Sequence, residues 1–404
     1  MWIEAIAAVV LAIGHILVQT HAPESFMDEI FHVPQTQAYC SGNWTQWDPK
    51  ITTPPGLYIL GASFATIPFH GIACDVATLR LLNLIFAWLL LLLLGRMLRP
   101  VAALQLWSLP ISFIFYFLYY TDTLSTLLVL SALYTQVFAS KWWWMSPFLG
   151  LASICVRQTN IAWCLFLAMH PWSAWLQNKP PFTVPFSRAI YHQCAWAAVG
   201  GIFLWAVWQN GGLVLGDAEN HAVAVHGAQM NYIVVITSLA YAAVLPVAFG
   251  QQIRQLTLPA LGAAVIFSGL ITHLASLDHP FLQADNRHWM FTFWRVWLRQ
   301  SSWHRLALTP CYALGWSWMI GQHGSWTTFL WLMSTSAVLL PAPLMEIRYF
   351  IVPASLFVCL VYREERQTGH QGRFPFLLLA LSAFCNIMLL GFFLFPILGV
   401  RKIW

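Results

Sequence analysis

Met27-Asp28-Glu29-Ile30-Phe31-His32, followed by Trp47-Asp48-Pro49-Lys50-Ile51-Thr52-Thr53-Pro54-Pro55-Gly56, is where this chain concentrates residues able to do chemistry. Five of its 14 acidic residues, Glu24, Asp28, Glu29, Asp48 and Asp75, fall in this one stretch between the first long apolar run and the next. A carboxylate can take a proton from an attacking hydroxyl, while arginine and histidine can neutralise a departing phosphate. Such a set suits transfer of a group from a lipid phosphate. That leaving group needs no general acid, so one carboxylate suffices and the sugar carbon is inverted, as in single-displacement glycosyl chemistry.

Three further polar groups stand out: Gly216-Asp217 with Asn220, His221 and His226; His279-Pro280 with Asp285-Asn286-Arg287-His288-Trp289; and Glu346-Ile347-Arg348-Tyr349-Phe350. Singly, each has a plain structural explanation, because Arg or His at a helix end is more often an interfacial anchor than a ligand. Glu346 and Arg348 could form a structural pair, although a spacing of two does not place them on one helical face. Their recurrence in loops assigned to one side of the membrane raises the functional reading. No Walker, Rossmann, H-E-x-x-H or G-x-S-x-G pattern occurs, which leaves nucleotide-driven transport and the common hydrolase sites unsupported.

The elements that must position these residues are membrane helices. The chain has 404 residues, 59% hydrophobic and 8% charged, against roughly 25% charged in a soluble domain, and its mean hydropathy is +0.66. Long apolar runs rather than short alternating segments predict an all-α polytopic bundle. Runs begin near Trp2, Ala77, Val101, Thr123, Ser146, Gln193, Tyr232, Thr257, Leu306, Trp326, Tyr349 and Pro375. They predict about 12 to 14 membrane helices in one domain over 1–404, with a non-cytoplasmic loop over 21–76. The run from Trp2 lacks a basic flank and a small-residue cleavage site and is expected to be a retained helix.

Basic residues in short loops, Arg96, Arg99, Lys141, Lys179, Arg188, Arg254, Arg363, Arg366 and Arg373, are assigned to the cytoplasm, and Arg401-Lys402 gives the last helix a cytoplasmic end. Lys141 and Lys179 then share a side although one apolar run separates them. Either this run breaks at Val156-Arg157-Gln158-Thr159-Asn160, as broken helices do around cavities, or it is one helix with Arg157 snorkelling. The segment Gly56 to Asp75, ending in His70 and Cys74, is expected to lie at the interface rather than to span. Among eight cysteines no metal or redox spacing occurs. Cys40 and Cys74 share the non-cytoplasmic loop, where free thiols are expected over a disulfide, and Asn43-Trp44-Thr45 is a glycosylation sequon.

The ordered set MDEIFHVPQTQAYC, WDPKITTPPGLY, VRQTNIAW, GDAENHAVAVHGAQ, HPFLQADNRHWMF and MEIRYF, spanning Met27 to Phe350, resembles the alpha-1,2-glucosyltransferases that complete the lipid-linked oligosaccharide for N-glycosylation. ITTPPG alone recurs across related transferases, whereas ADNRH together with the others is specific. The resemblance implies a GT-C type fold in the endoplasmic reticulum membrane with the active site facing the lumen. It also implies dolichyl phosphate glucose as donor, and as acceptor the diglucosylated high-mannose glycan on dolichyl diphosphate. One departure stands at Ala218, where a basic residue is expected after Gly-Asp.

Carried over residue by residue, the resemblance makes Asp28 the base, with Glu29 the alternative. Neighbouring helical residues point about 100 degrees apart, so one of the two is expected to face substrate. Arg287, His288 and Arg348 are candidates for the donor phosphate, and His32, Arg157 and Asn286 for positioning sugar or phosphate. Thr52 to Pro55 shape the loop, with Gly56 permitting a close turn. No metal or other cofactor is indicated, and the expected partners are the two dolichol-linked substrates and the bilayer, with no nucleic acid. The rival readings are another dolichyl-phosphate-sugar transferase and a transporter; the latter predicts internal repeats, and none is evident.

Overall fold

The computed structural model describes residues 2–66, 73–172, 186–217, 223–323, 326–368, 375–396 and 399–403. The regular secondary structure of the described residues is helical, apart from one isolated bridge between His288 and Ile403. The chain divides into two compact units: residues 1–97, 112–168 and 184–221 form the first, and 98–111, 169–183 and 222–404 the second.

The first unit contains α1 (Trp2–His21), α2 (Glu29–Cys40), α3 (Gly56–Ala65), α4 (Val76–Met97), α5 (Thr121–Leu133), α6 (Ser146–Val156), α7 (Ile161–Met169) and α8 (Phe186–Asn210). α4 starts where Asp75 Oδ1 accepts the Thr78 amide at 2.9 Å, satisfying an otherwise orphan helix donor. It then runs as an almost unbroken leucine-rich helix to Arg96 in its last turn. α1 and α5 both pack on α4, and α5 also on α6. Arg80 and Asn83, on one face of α4, are fully buried. Asn83 Nδ2 donates to the carbonyls of Phe115 and Leu118 at 2.7 and 2.6 Å, fixing the turn that carries Tyr119 and Tyr120. Val33, Leu57, Tyr58, Leu79, Leu82 and Val156 close one apolar cluster beneath α2 and α3.

The second unit contains α9 (Ala228–Val244), α10 (Leu258–Leu274), α11 (Thr309–His323), α12 (Ile351–Thr368) and α13 (Pro375–Leu394). α11 packs on α9 and α10, and α12 on α9. The rings of Tyr241 and Trp318 meet at 4.9 Å, and Phe357 joins Trp331 at the same distance.

Helices occupy each of the expected apolar runs. Among the described residues, four are long and apolar enough to cross a membrane, within 3–21, 76–97, 190–210 and 377–394, or up to six if two bent pairs each count as one span. The bends, 61° between Pro100–Trp107 and Pro110–Phe117 and 102° between Pro246–Arg254 and Leu258–Leu274, come just before Pro110 and Pro259. Proline lacks the N–H and clashes with the preceding turn. The 10-residue α3 is about 15 Å long, half a hydrocarbon core, and as far as Thr66 it does not span. The run containing Arg157 is broken: α6 ends at Val156, Arg157 is extended with φ −144° and ψ 118°, and a short 3-10 turn leads into α7. A single continuous helix with Arg157 snorkelling is therefore overturned.

Candidate active site

The chain enters α2 through Met27, whose φ of +53° lies in the left-handed region that non-glycine residues rarely adopt. Strain of this kind persists where surrounding structure enforces it, and it clusters at functional sites. Directly after it, Asp28 and Glu29 separate in role. Glu29 is fully buried and turned inward onto Arg80, which donates from Nε at 2.9 Å and from Nη2 at 2.6 Å. The amides of Tyr119 and Phe26 donate to the same carboxylate at 2.6 and 2.9 Å. Arg80 also donates to the carbonyls of Ala22 and Glu24, at 2.7 and 2.8 Å. The pair ties together the end of α1, the start of α2, α4 and the Tyr119 turn.

Asp28 occupies the N-cap position of α2 without capping it, and its half-buried side chain remains partly exposed. Its amide donates to the Tyr120 hydroxyl at 3.1 Å. One turn on, His32 Nδ1 is 2.8 Å from the Tyr58 hydroxyl, which is 3.0 Å from Thr53 Oγ1. The imidazole also meets Tyr120 edge-on at 5.9 Å. Burial pushes the Tyr58 phenol well above its usual range; the Thr53 hydrogen bond opposes this and the Asp28 charge adds to it.

The loop after α2 is held over that helix. Gln35 Nε2 donates to the Gln46 carbonyl at 2.7 Å and its Oε1 accepts the Asp48 amide at 2.9 Å. Gly216 sits so close to the carbonyls of Pro49 and Ile51 that a Cβ there would overlap both, and the Asp217 amide donates to Pro49 at 2.9 Å. Gly56 meets the Cys155 carbonyl in the same way, which brings ITTPPG against the break at Arg157. There Gln158 Nε2 donates to the Thr52 carbonyl at 2.7 Å, and Arg157 pairs with Asp122, which is 2% exposed. The second oxygen of Asp122 is buried with no hydrogen-bond partner. Asn160 holds the broken helix to α5 through Ser125 at 2.8 Å.

Cys40 and Cys74 are bonded to each other, correcting the expectation of free thiols. They lie 34 residues apart in sequence, but Gln37 Nε2 donates to the Cys74 carbonyl at 2.9 Å and draws the end of α2 to the start of α4. Replacing both cysteines by serine is expected to lower stability by about 2–4 kcal/mol. The check is a thermal melt in detergent, together with loss of the mobility shift on reduction; a wild-type protein with no such shift would refute the bond.

The remaining sequence-predicted residues belong to the second unit. Arg287 is held by Asp285, with Nε and Nη2 on the two carboxylate oxygens at 3.0 and 2.8 Å. Partial burial would raise the Asp285 carboxyl, but the Arg287 hydrogen bonds and charge hold it below its usual value. Asn286 Oδ1 accepts from Arg295 Nη2 at 2.8 Å. His288 is buried with its ring 4.2 Å from that of Phe291. Glu346 and Arg348 are paired, because Glu346 is extended at φ −119° and ψ 132° and the helical-spacing argument does not apply to it. Burial pushes the His226 imidazole down to about 4, against the hydrogen bond to the Pro343 carbonyl. Ala218, Asn220 and His221 lie outside the described residues, as do His70, Lys179 and Arg373.

The basic tail is not simply a cytoplasmic anchor. Ile403 exchanges backbone hydrogen bonds with Arg287 and Trp289, each 2.8 Å, and Lys402 Nζ lies 4.6 Å from the Trp289 ring centroid. Arg401 donates to the carbonyls of Phe393 and Leu394. A cytoplasmic tail and a non-cytoplasmic 285–289 loop cannot both hold, because Ile403 is hydrogen-bonded to that loop.

Sequence reasoning missed Arg80 and Asp122, the partners of Glu29 and Arg157. The signal was present, since an ionisable residue inside an apolar run requires a partner. Among the described residues no three His, Cys, Asp or Glu side chains converge as metal ligands.

No solved structure matches the chain. A protein from Arabidopsis thaliana is 29% identical over 85% of this chain and 87% of its own length. One from Homo sapiens is 28% identical over 92% and 89%, and one from Yarrowia lipolytica 33% identical over 69% and 60%. All three bear the name Dol-P-Glc:Glc(2)Man(9)GlcNAc(2)-PP-Dol alpha-1,2-glucosyltransferase. The DIE2/ALG10 family model matches residues 22–183 and 176–359, which contain all six of the motifs read from the sequence, and the chain belongs to the DIE2/ALG10 family.

Proposed function

We propose that the chain is an inverting glucosyltransferase, moving glucose from dolichyl phosphate glucose to the terminal alpha-1,2 position of the diglucosylated lipid-linked oligosaccharide. The observation that carries the mechanism is the division of labour at the start of α2. Glu29 is saturated by Arg80 and two amides, whereas Asp28 stays partly exposed beside Tyr58 and His32. Asp28 is the base. It takes the proton of the acceptor hydroxyl as that oxygen bonds to C1 of glucose, while the bond from C1 to the phosphate oxygen breaks and its electron pair leaves with dolichyl phosphate. His32 and Arg157 position sugar or phosphate. Asn286, Arg287, His288 and Arg348 remain candidates for the substrate contacts expected of them.

The reading includes a GT-C type architecture of about 12 to 14 membrane helices, working as one domain over 1–404 in the endoplasmic reticulum membrane. The lumenal assignment of the 21–76 loop is supported by the Cys40–Cys74 bond, since disulfides persist in oxidising compartments. The test is transfer of labelled glucose from a dolichyl-phosphate-glucose analogue to synthetic lipid-linked glycans by purified protein in detergent, with and without chelator. Product is expected on the diglucosylated acceptor alone and at an unchanged rate with chelator. No transfer by folded protein would refute the function, and chelator sensitivity would refute metal-free catalysis.

A further inference from the structure

We propose that Lys50 supplies the cation that meets the donor phosphate beside Asp28, an inference that rests on the glucosyltransferase reading. Three guanidinium groups that could meet a phosphate are already matched to carboxylates: Arg157 to Asp122, Arg287 to Asp285 and Arg348 to Glu346. Arg80 is buried on Glu29. Lys50 is exposed and has no carboxylate within ion-pair distance among the described residues. Its ammonium lies 5.7 Å from the ring centroid of Phe31, which stands three residues beyond Asp28 and so neighbours it on the surface of α2.

The Lys50 backbone is held from several directions while its side chain stays in solvent. Asp48 Oδ1 accepts the Lys50 amide at 2.9 Å and Gln35 Oε1 accepts the Asp48 amide at the same distance. The Ile51 amide closes the turn on the Asp48 carbonyl at 3.0 Å, and Asp217 donates to Pro49. These bonds fix the point from which the flexible four-carbon side chain starts, on the loop that Gln35 ties to α2.

The chemistry gives the cation a specific task. Dolichyl phosphate glucose is a phosphodiester with one negative charge, and when the C1–O bond breaks the phosphate keeps the electron pair and becomes a monoester with a second charge. An ammonium at that oxygen binds the departing phosphate more strongly than the intact donor and so lowers the barrier.

The test uses the full chain in detergent, comparing K50Q and K50R with wild type in glucose transfer and in inhibition by dolichyl phosphate. K50Q is expected to lose about 100-fold in kcat, with KM for the acceptor glycan unchanged and inhibition by dolichyl phosphate weakened, while K50R recovers part of both. A K50Q enzyme with wild-type kcat and unweakened inhibition would overturn the proposal, as would losses in either variant that follow melting temperature rather than charge. Absence of transfer by the wild-type protein would instead remove the reading on which the proposal rests.

Discussion

Asp28→Asn is expected to give a protein that melts like wild type, keeps the Cys40–Cys74 bond and transfers glucose about 1,000-fold more slowly, within the range a general base contributes. Stability should hold because the Asp28 carboxylate caps no helix end, and the tie from this residue to Tyr120 runs through its backbone amide. Asparagine preserves the shape but cannot accept a proton at neutral pH. Donor and acceptor KM should change little, since the lost interaction forms only as the hydroxyl is deprotonated. The measurement is single-turnover transfer of labelled glucose beside a thermal melt on the same preparation. A folded Asp28→Asn protein with kcat near wild type would remove Asp28 from the chemistry.

What could be read before the fold was known follows the range of each interaction. The helices over the apolar runs depend on local patterning and were legible. The break at Arg157 was legible only as one of two alternatives, because a guanidinium in an apolar run demands either a route to water or a partner. Its partner Asp122 lies 35 residues earlier, and sequence order alone did not bring the two together. The choice between Asp28 and Glu29 had the same character: the turn of a helix separates their directions, but the Glu29 orientation is settled by Arg80, 51 residues away on α4. The Cys40–Cys74 bond and the pairing of Ile403 with the 287–289 loop were hidden for the same reason, since each rests on chain segments meeting rather than on any local signature.

Glu29→Gln is expected to fail in the opposite manner to Asp28→Asn, through folding rather than chemistry. The amide would keep the volume of the side chain but leave Arg80 fully buried without its counter-charge and turn one acceptor oxygen into a competing donor. Removing one member of a buried ion pair costs about 3–5 kcal/mol, a large share of the roughly 5–15 kcal/mol that holds a domain folded. Arg80→Leu should cost a similar amount by stranding Glu29. Replacing both by leucine should cost less than the sum of the two single changes, because neither charge is then left alone in the interior. Melting temperature and monodisperse yield in detergent measure all three, and activity per folded molecule separates them from Asp28→Asn. Whatever Glu29→Gln protein does fold should transfer glucose at a rate close to wild type. A Glu29→Gln protein as stable as wild type yet inactive would return the base to Glu29 and leave the Arg80 pair without the structural role its geometry describes.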